Sequence, residues 1–188
     1  MKLIYSWFVA YATPALLAGA AVKILPQTKQ RLSLRNGLII HGALLASIVI
    51  SQYFIHQANL DFPWQPHGYS IVILLLSIAI AYKFIGFYTL GYVVSCLIQE
   101  ATMQSIAFLL LPSFPLFIVL LLVVPLYVWC HPLLRPKHSL IRILIFFGWG
   151  IIAISLFSIL KDLYVIAGLH LLLGSWLISR SLLHPDII

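Results

Sequence analysis

The chain has 188 residues, of which 63% are hydrophobic and only 8% charged, with a formal net charge of +7. So little polar surface cannot cover a soluble globule of this size, and the composition indicates an integral membrane protein. The excess of Lys and Arg reads as a basic membrane-facing rim, with membrane lipids as neighbours and no nucleic-acid partner.

Apolar runs near the length of a bilayer-crossing helix recur along the chain, and none has the alternation of a barrel strand. The expected fold is all-α, a polytopic transmembrane bundle of about seven spans forming a single integral membrane domain over 1–188. The spans fall at approximately 3–25, 37–55, 69–84, 86–111, 114–131, 141–160 and 163–179. The first resembles a signal peptide only faintly, through Ala18-Gly19-Ala20-Ala21. Its apolar stretch is too long and its stronger positive charge follows it, so it reads as a first membrane helix.

Pro26 closes that span, Pro63 and Pro66 lie in the second loop, Pro112 and Pro115 make a tight turn, and Pro132 and Pro136 end the fifth span. Between the third and fourth spans Lys83 precedes Gly86, which marks a candidate broken or re-entrant element. Alternating the spans puts Lys23, Lys29, Arg31, Arg35, Lys83, Arg135, Lys137, Arg142 and Arg180 on one side, against Lys2 and Lys161. The positive-inside tendency then places the amino terminus outside and the carboxyl terminus in the cytoplasm. The compact size and short loops favour a bacterial inner (plasma) membrane.

Polar residues inside the spans are the candidates for chemistry. Glu100, one of four acidic residues, lies within the apolar run from Ile85 to Leu111, where an ionisable group marks a functional site by default. Gln104 shares its face at a spacing of four, with Cys96 one turn earlier and Gln99 rotated by about 100°. His41, Ser47, Ser51 and Gln52 read as interhelical hydrogen-bonding groups. Tyr127 and His131 read either as site residues or as an interfacial aromatic and a helix-end histidine. His170 reads as a site residue or a helix bridge. Cys96 and Cys130 form neither a structural disulfide nor a metal site, and no cofactor is expected. One carboxylate with two histidines suggests acid–base chemistry on water.

Three segments resemble the signature of the CPBP (CAAX-type or Abi) glutamic intramembrane proteases. Gln99-Glu100-Ala101-Thr102-Met103-Gln104 stands where the family has Glu-Glu-x-x-x-Arg, and Tyr127-Val128-Trp129-Cys130-His131 where it has Phe-x-x-x-His. His170-Leu171-Leu172-Leu173-Gly174 stands for His-x-x-x-Asn, and Phe146-Phe147-Gly148-Trp149-Gly150 is similar to the aromatic, glycine-rich helix between. The resemblance covers about Leu97 to Gly174, within a CPBP-like core over approximately 86–179.

It implies a metal-independent endopeptidase acting on a membrane-associated protein or lipidated peptide. Glu100, His131, His170 and the Gln99 position would be catalytic, with Gln104, Tyr127 and Gly174 supporting. The departures are Gln99 for the water-activating glutamate, Gln104 for the arginine and Gly174 for the asparagine. A glutamine cannot act as a general base, so either Glu100 has taken the role, or the chain is an inactive relative, or position 99 does not carry its natural residue. Losing the arginine frees Glu100 to pair with His131 or His170. From another class, a small transport or solute-binding subunit would use Gln99, Glu100 and Gln104 to hold a polar solute.

Overall fold

The computed structural model describes residues 5, 7–24, 34–130 and 140–180, which contain helices and turns and no strand. A π-helical turn, Phe8–Ala12, leads into α1 (Thr13–Ile24), followed by α2 (Leu34–Gln57) and α3 (Gly68–Ile85). A 3-10 turn at Gly86–Tyr88 joins α3 to α4 (Thr89–Leu110), and α5 (Leu116–Cys130), α6 (Leu140–Leu160) and α7 (Leu163–Ser179) complete the order. The fourth helix therefore begins at Thr89 and not at 86.

The break at Gly86 has a local cause. Its φ of 58° and ψ of −133° end α3, with its own N–H still bonded to the Tyr82 carbonyl. Such a conformation is open to glycine and strained for other residues. Thr89 Oγ1 then donates to the Gly86 carbonyl at 2.7 Å. The helical run Gly68–Leu110 and the helix Leu140–Leu160 are each long and apolar enough to cross a membrane.

α4 is the centre of the bundle, with α2, α3, α5, α6 and α7 all packed on it. Every residue from Gln99 to Ala107 is buried. Two apolar clusters meet along it. Met103, Ile106 and Leu110 join Val119, Val123, Phe157 and Ile166 in one. Tyr92 and Cys96 join Ala81, Phe146, Leu171 and Leu177 in the other. Glu100 on α4 and His170 on α7 fall at the junction.

The register of α7 is set at its start. Asp162 Oδ1 accepts from the backbone N–H groups of Tyr164 at 3.0 Å and Val165 at 3.1 Å, an N-cap that satisfies two otherwise orphaned donors. Its other oxygen accepts from Ser70 on α3. The turn before it is tight, with Lys161 at φ 52°. α3 and α7 then run in extensive contact, and a Cβ added at Gly168 would lie 3.0 Å from Ser77 Oγ. The small residue permits the approach that carries His170 inward.

Candidate functional site

Glu100 is fully buried, and three ring or amide nitrogens lie within hydrogen-bond distance of its two oxygens. His170 Nδ1 lies 2.7 Å from Oε1, Trp149 Nε1 donates to the same oxygen at 2.8 Å, and Gln104 Nε2 donates to Oε2 at 3.0 Å. With Oε1 as the acceptor of this pair, as it is for Trp149, His170 Nδ1 would be the donor. Nε2 is then the ring nitrogen left to act as a base, the tautomer selection a carboxylate commonly imposes on a histidine.

His170 also lines a small pocket with Tyr92, Ile145, Phe146, Trp149, Leu173, Gly174 and Leu177. Its volume of about 10 Å³ is room for roughly one water. Glu100 is not part of the lining and stands behind the imidazole. Trp149 packs tilted against His170, with centroids 5.2 Å apart, and Tyr92 meets the same ring edge-on at 6.3 Å. The Tyr92 hydroxyl occupies the space beside Gly174: a Cβ there would lie 1.6 Å from Oη. The missing side chain at 174, where the resemblance expects asparagine, is what admits the phenol.

No family model, curated protein or solved structure matches this chain. The site therefore stands on its own geometry.

Of the residues singled out by sequence, Glu100, Gln104 and His170 come together, and Gly174 lies at the pocket. Gln99 does not join them. Its Nε2 donates to Ser95 Oγ at 2.9 Å, which lies 3.2 Å from His41 Nε2, so it belongs to a separate polar row between α2 and α4. The side-chain oxygens of Gln99 and Gln104 are buried and accept no hydrogen bond among the described residues. Tyr127 is buried on α5 against α6, its Cδ1 3.4 Å from a Cβ built at Gly150, and does not line the pocket. His131 lies outside the described residues.

Of the other polar residues of α2, Ser47 and Gln52 bridge helices, whereas the buried Ser51 hydroxyl has no hydrogen-bond partner among the described residues. Ser47 donates to the Ala10 carbonyl, and Gln52 donates to Ser105 at 3.1 Å. In the loop after α2, Trp64 donates to Gln52 at 3.0 Å, and its carbonyl accepts from the Tyr164 hydroxyl. Among the described residues no three His, Cys, Asp or Glu side chains gather as a metal site. Sequence reasoning missed Trp149 and Tyr92 as site residues. Tyr92 was within reach of it, because Tyr92, Cys96, Glu100 and Gln104 form one row at a spacing of four. Trp149 carried no comparable signal, since an indole in an aromatic helix is ordinary.

Proposed function

We propose that the chain is a membrane-embedded hydrolase of the CPBP-like glutamic protease kind, in which His170 activates water and Glu100 positions and charges it. The membrane setting is supported by where the apolar residues point. Only 17% of the most apolar window of Gly68–Leu110 is buried, and 33% of that of Leu140–Leu160, so most of each faces outward. Exposed apolar side chains recur along α3, at Ile71, Val72, Leu75, Leu76 and Ile80, and along α6, at Ile141, Leu144, Ile152 and Ile159, a surface that soluble monomers rarely expose. In this reading α1 to α7 supply seven spans in a bacterial plasma membrane. Lys83, Arg142 and Arg180 lie on the cytoplasmic side, Lys161 outside.

The observation that carries the chemistry is the 2.7 Å contact from Glu100 to an imidazole that lines a water-sized pocket. Water in that pocket gives a proton to His170 Nε2 as its oxygen bonds to the carbonyl carbon of a peptide, and the carbonyl π pair moves to oxygen. The intermediate collapses as its oxygen's electron pair re-forms the carbonyl. The C–N bond breaks, and the imidazolium returns the proton to the leaving amine. The buried Glu100 charge stabilises the imidazolium in between. This moves the base from Glu100, or from the Gln99 position, to His170. The pocket holds about one water, and a membrane-associated or lipidated peptide would have to approach it past the apolar side chains that line it, Ile145, Phe146, Leu173 and Leu177.

The test is purified protein in nanodiscs offered lipidated, internally quenched peptides, comparing the wild type with Glu100→Gln, His131→Ala and His170→Ala. Loss of cleavage in the Glu100 and His170 variants supports the reading, and the His131 variant reports whether that residue shares the proton transfer. Equal cleavage by all four removes these residues from the mechanism. A second reading, capture of a polar solute, is favoured by the unsatisfied Gln99 amide oxygen beside Ser95 and His41. It expects ligand binding that is indifferent to His170→Ala.

A further inference from the structure

We infer that Tyr92 is a catalytic residue of this site, its hydroxyl donating a hydrogen bond to the substrate carbonyl oxygen as that oxygen gains charge. The inference rests on the hydrolytic reading of His170. Three observations carry it. Tyr92 lines the same pocket as His170, on the wall shared with Gly174. Its hydroxyl occupies the place a Cβ at Gly174 would take, so the phenol lies directly against the α7 backbone there. Its polar neighbours along α4 are the thiol of Cys96, one turn on, with which it hydrogen-bonds, and more distantly Glu100. A thiol is a weak acceptor, which leaves the hydroxyl proton available to a better one.

The donors nearest the pocket are otherwise committed. Trp149 Nε1 and the His170 Nδ1 proton are both spent on Glu100. An oxygen developing negative charge beside His170 therefore needs a further donor, and the Tyr92 hydroxyl is the group at the pocket able to serve. A fixed donor in a buried site stabilises such an oxyanion without reorganising, the condition under which one hydrogen bond changes a rate most. As the water oxygen bonds to the carbonyl carbon and its proton passes to His170, the carbonyl oxygen takes the π pair and accepts from Tyr92 Oη. On collapse the pair returns to the C–O bond and the hydroxyl keeps its proton throughout.

The test uses the full chain in nanodiscs with palmitoylated, internally quenched peptides varied at the cleaved position, comparing wild type, Tyr92→Phe and His170→Ala. Phenylalanine keeps the ring against Gly174, so the thermal midpoint of Tyr92→Phe should match the wild type. Its kcat should fall by roughly 100-fold or more, with KM changed by less than about threefold, because the bond strengthens only in the transition state. A Tyr92→Phe enzyme with wild-type kcat, alongside a dead His170→Ala, overturns the role of Tyr92 and leaves the hydrolytic reading intact. A fall in KM-dependent binding alone, with kcat unchanged, also overturns it. A wild type that cleaves none of the peptides overturns the hydrolytic reading and this inference together.

Discussion

Glu100 and His170 are 70 residues apart in sequence and 2.7 Å apart in space, the carboxylate fully buried and the imidazole between it and the pocket. The pair joins the middle of α4 to the middle of α7 at the level where the two apolar clusters of the core meet. Its partners differ in what they lose when it is cut. Glu100→Ala strands the N–H groups of Trp149, Gln104 and His170 in the interior, and should cost about 3–5 kcal/mol of stability in a denaturation series followed by tryptophan fluorescence. Glu100→Gln keeps the shape and one acceptor oxygen. It should cost less stability but lower kcat by roughly 10²–10⁴, because the imidazolium loses its counter-charge. A Glu100→Gln enzyme with wild-type kcat would contradict the role of the charge.

Gly174 makes a second, purely steric prediction. A methyl group at 174 cannot coexist with Tyr92 where it stands, the built Cβ falling 2.6 Å from Cζ as well as 1.6 Å from Oη. Gly174→Ala should lose about 1–3 kcal/mol through displaced packing. Adding Tyr92→Leu should recover part of that loss. A double-mutant cycle on the thermal or denaturant midpoint measures the coupling, expected above about 1 kcal/mol. Additive losses would mean that Tyr92 and Gly174 do not touch.

Gln99→Glu tests the place of the Gln99 position in the chemistry. Because Gln99 bonds Ser95 beside His41 and does not line the pocket, a carboxylate there should pair with His41 and leave peptide cleavage unchanged. Its stability should fall, since the new charge is introduced at a site only 7% exposed. Cleavage that appears only in Gln99→Glu would restore the family-like assignment and displace His170 as the base.

Asp162 should matter more than its distance from the pocket suggests. Asp162→Ala removes the cap of α7 and the acceptor of buried Ser70, and about 1–2 kcal/mol of stability should go with it. Asp162→Asn retains a capping oxygen and should lose less. Hydrogen exchange of the first turn of α7 is the sensitive measurement, and unchanged protection in Asp162→Ala would refute the capping role.

Lys161, in the turn before α7, lies 5.8 Å above the rings of both Phe108 and Phe157. Burial lowers its pKa below the ordinary 10.5. Between the lowered value and 10.5 the unfolded chain binds more protons than the folded one, so this group makes stability rise with pH there. The effect is small because the side chain keeps much of its solvent contact. Lys161→Met should remove the rise, visible as a difference between the two proteins that narrows or reverses as alkaline pH approaches 10.5. A constant difference would refute it.

Much of the architecture was legible. The expected segment 163–179 is the helix Leu163–Ser179, and 141–160 differs from Leu140–Leu160 by one residue. Apolar run length, proline placement and Gly86 are local signals, and local signals set helix limits. Burial of Glu100 beside Gln104 followed from their spacing, because residues four apart share a helix face whatever surrounds them. Seclusion of Gln99 followed less surely, since a rotation of about 100° says only that it faces elsewhere.

By itself, then, the sequence determined that the chain is helical, where its helices lie, and that one carboxylate is buried in α4 with an amide beside it. Only tertiary structure decided that His170 and Trp149 are its partners, that Gln99 turns to Ser95 and His41, and that Tyr92 fills the notch of Gly174. The reason is that these helices are apolar almost all round, so no sequence pattern labels the face that packs inward. Contacts between α4, α6 and α7 depend on how the cylinders rotate and cross. That is settled by close packing, through small residues such as Gly168 and the cap at Asp162.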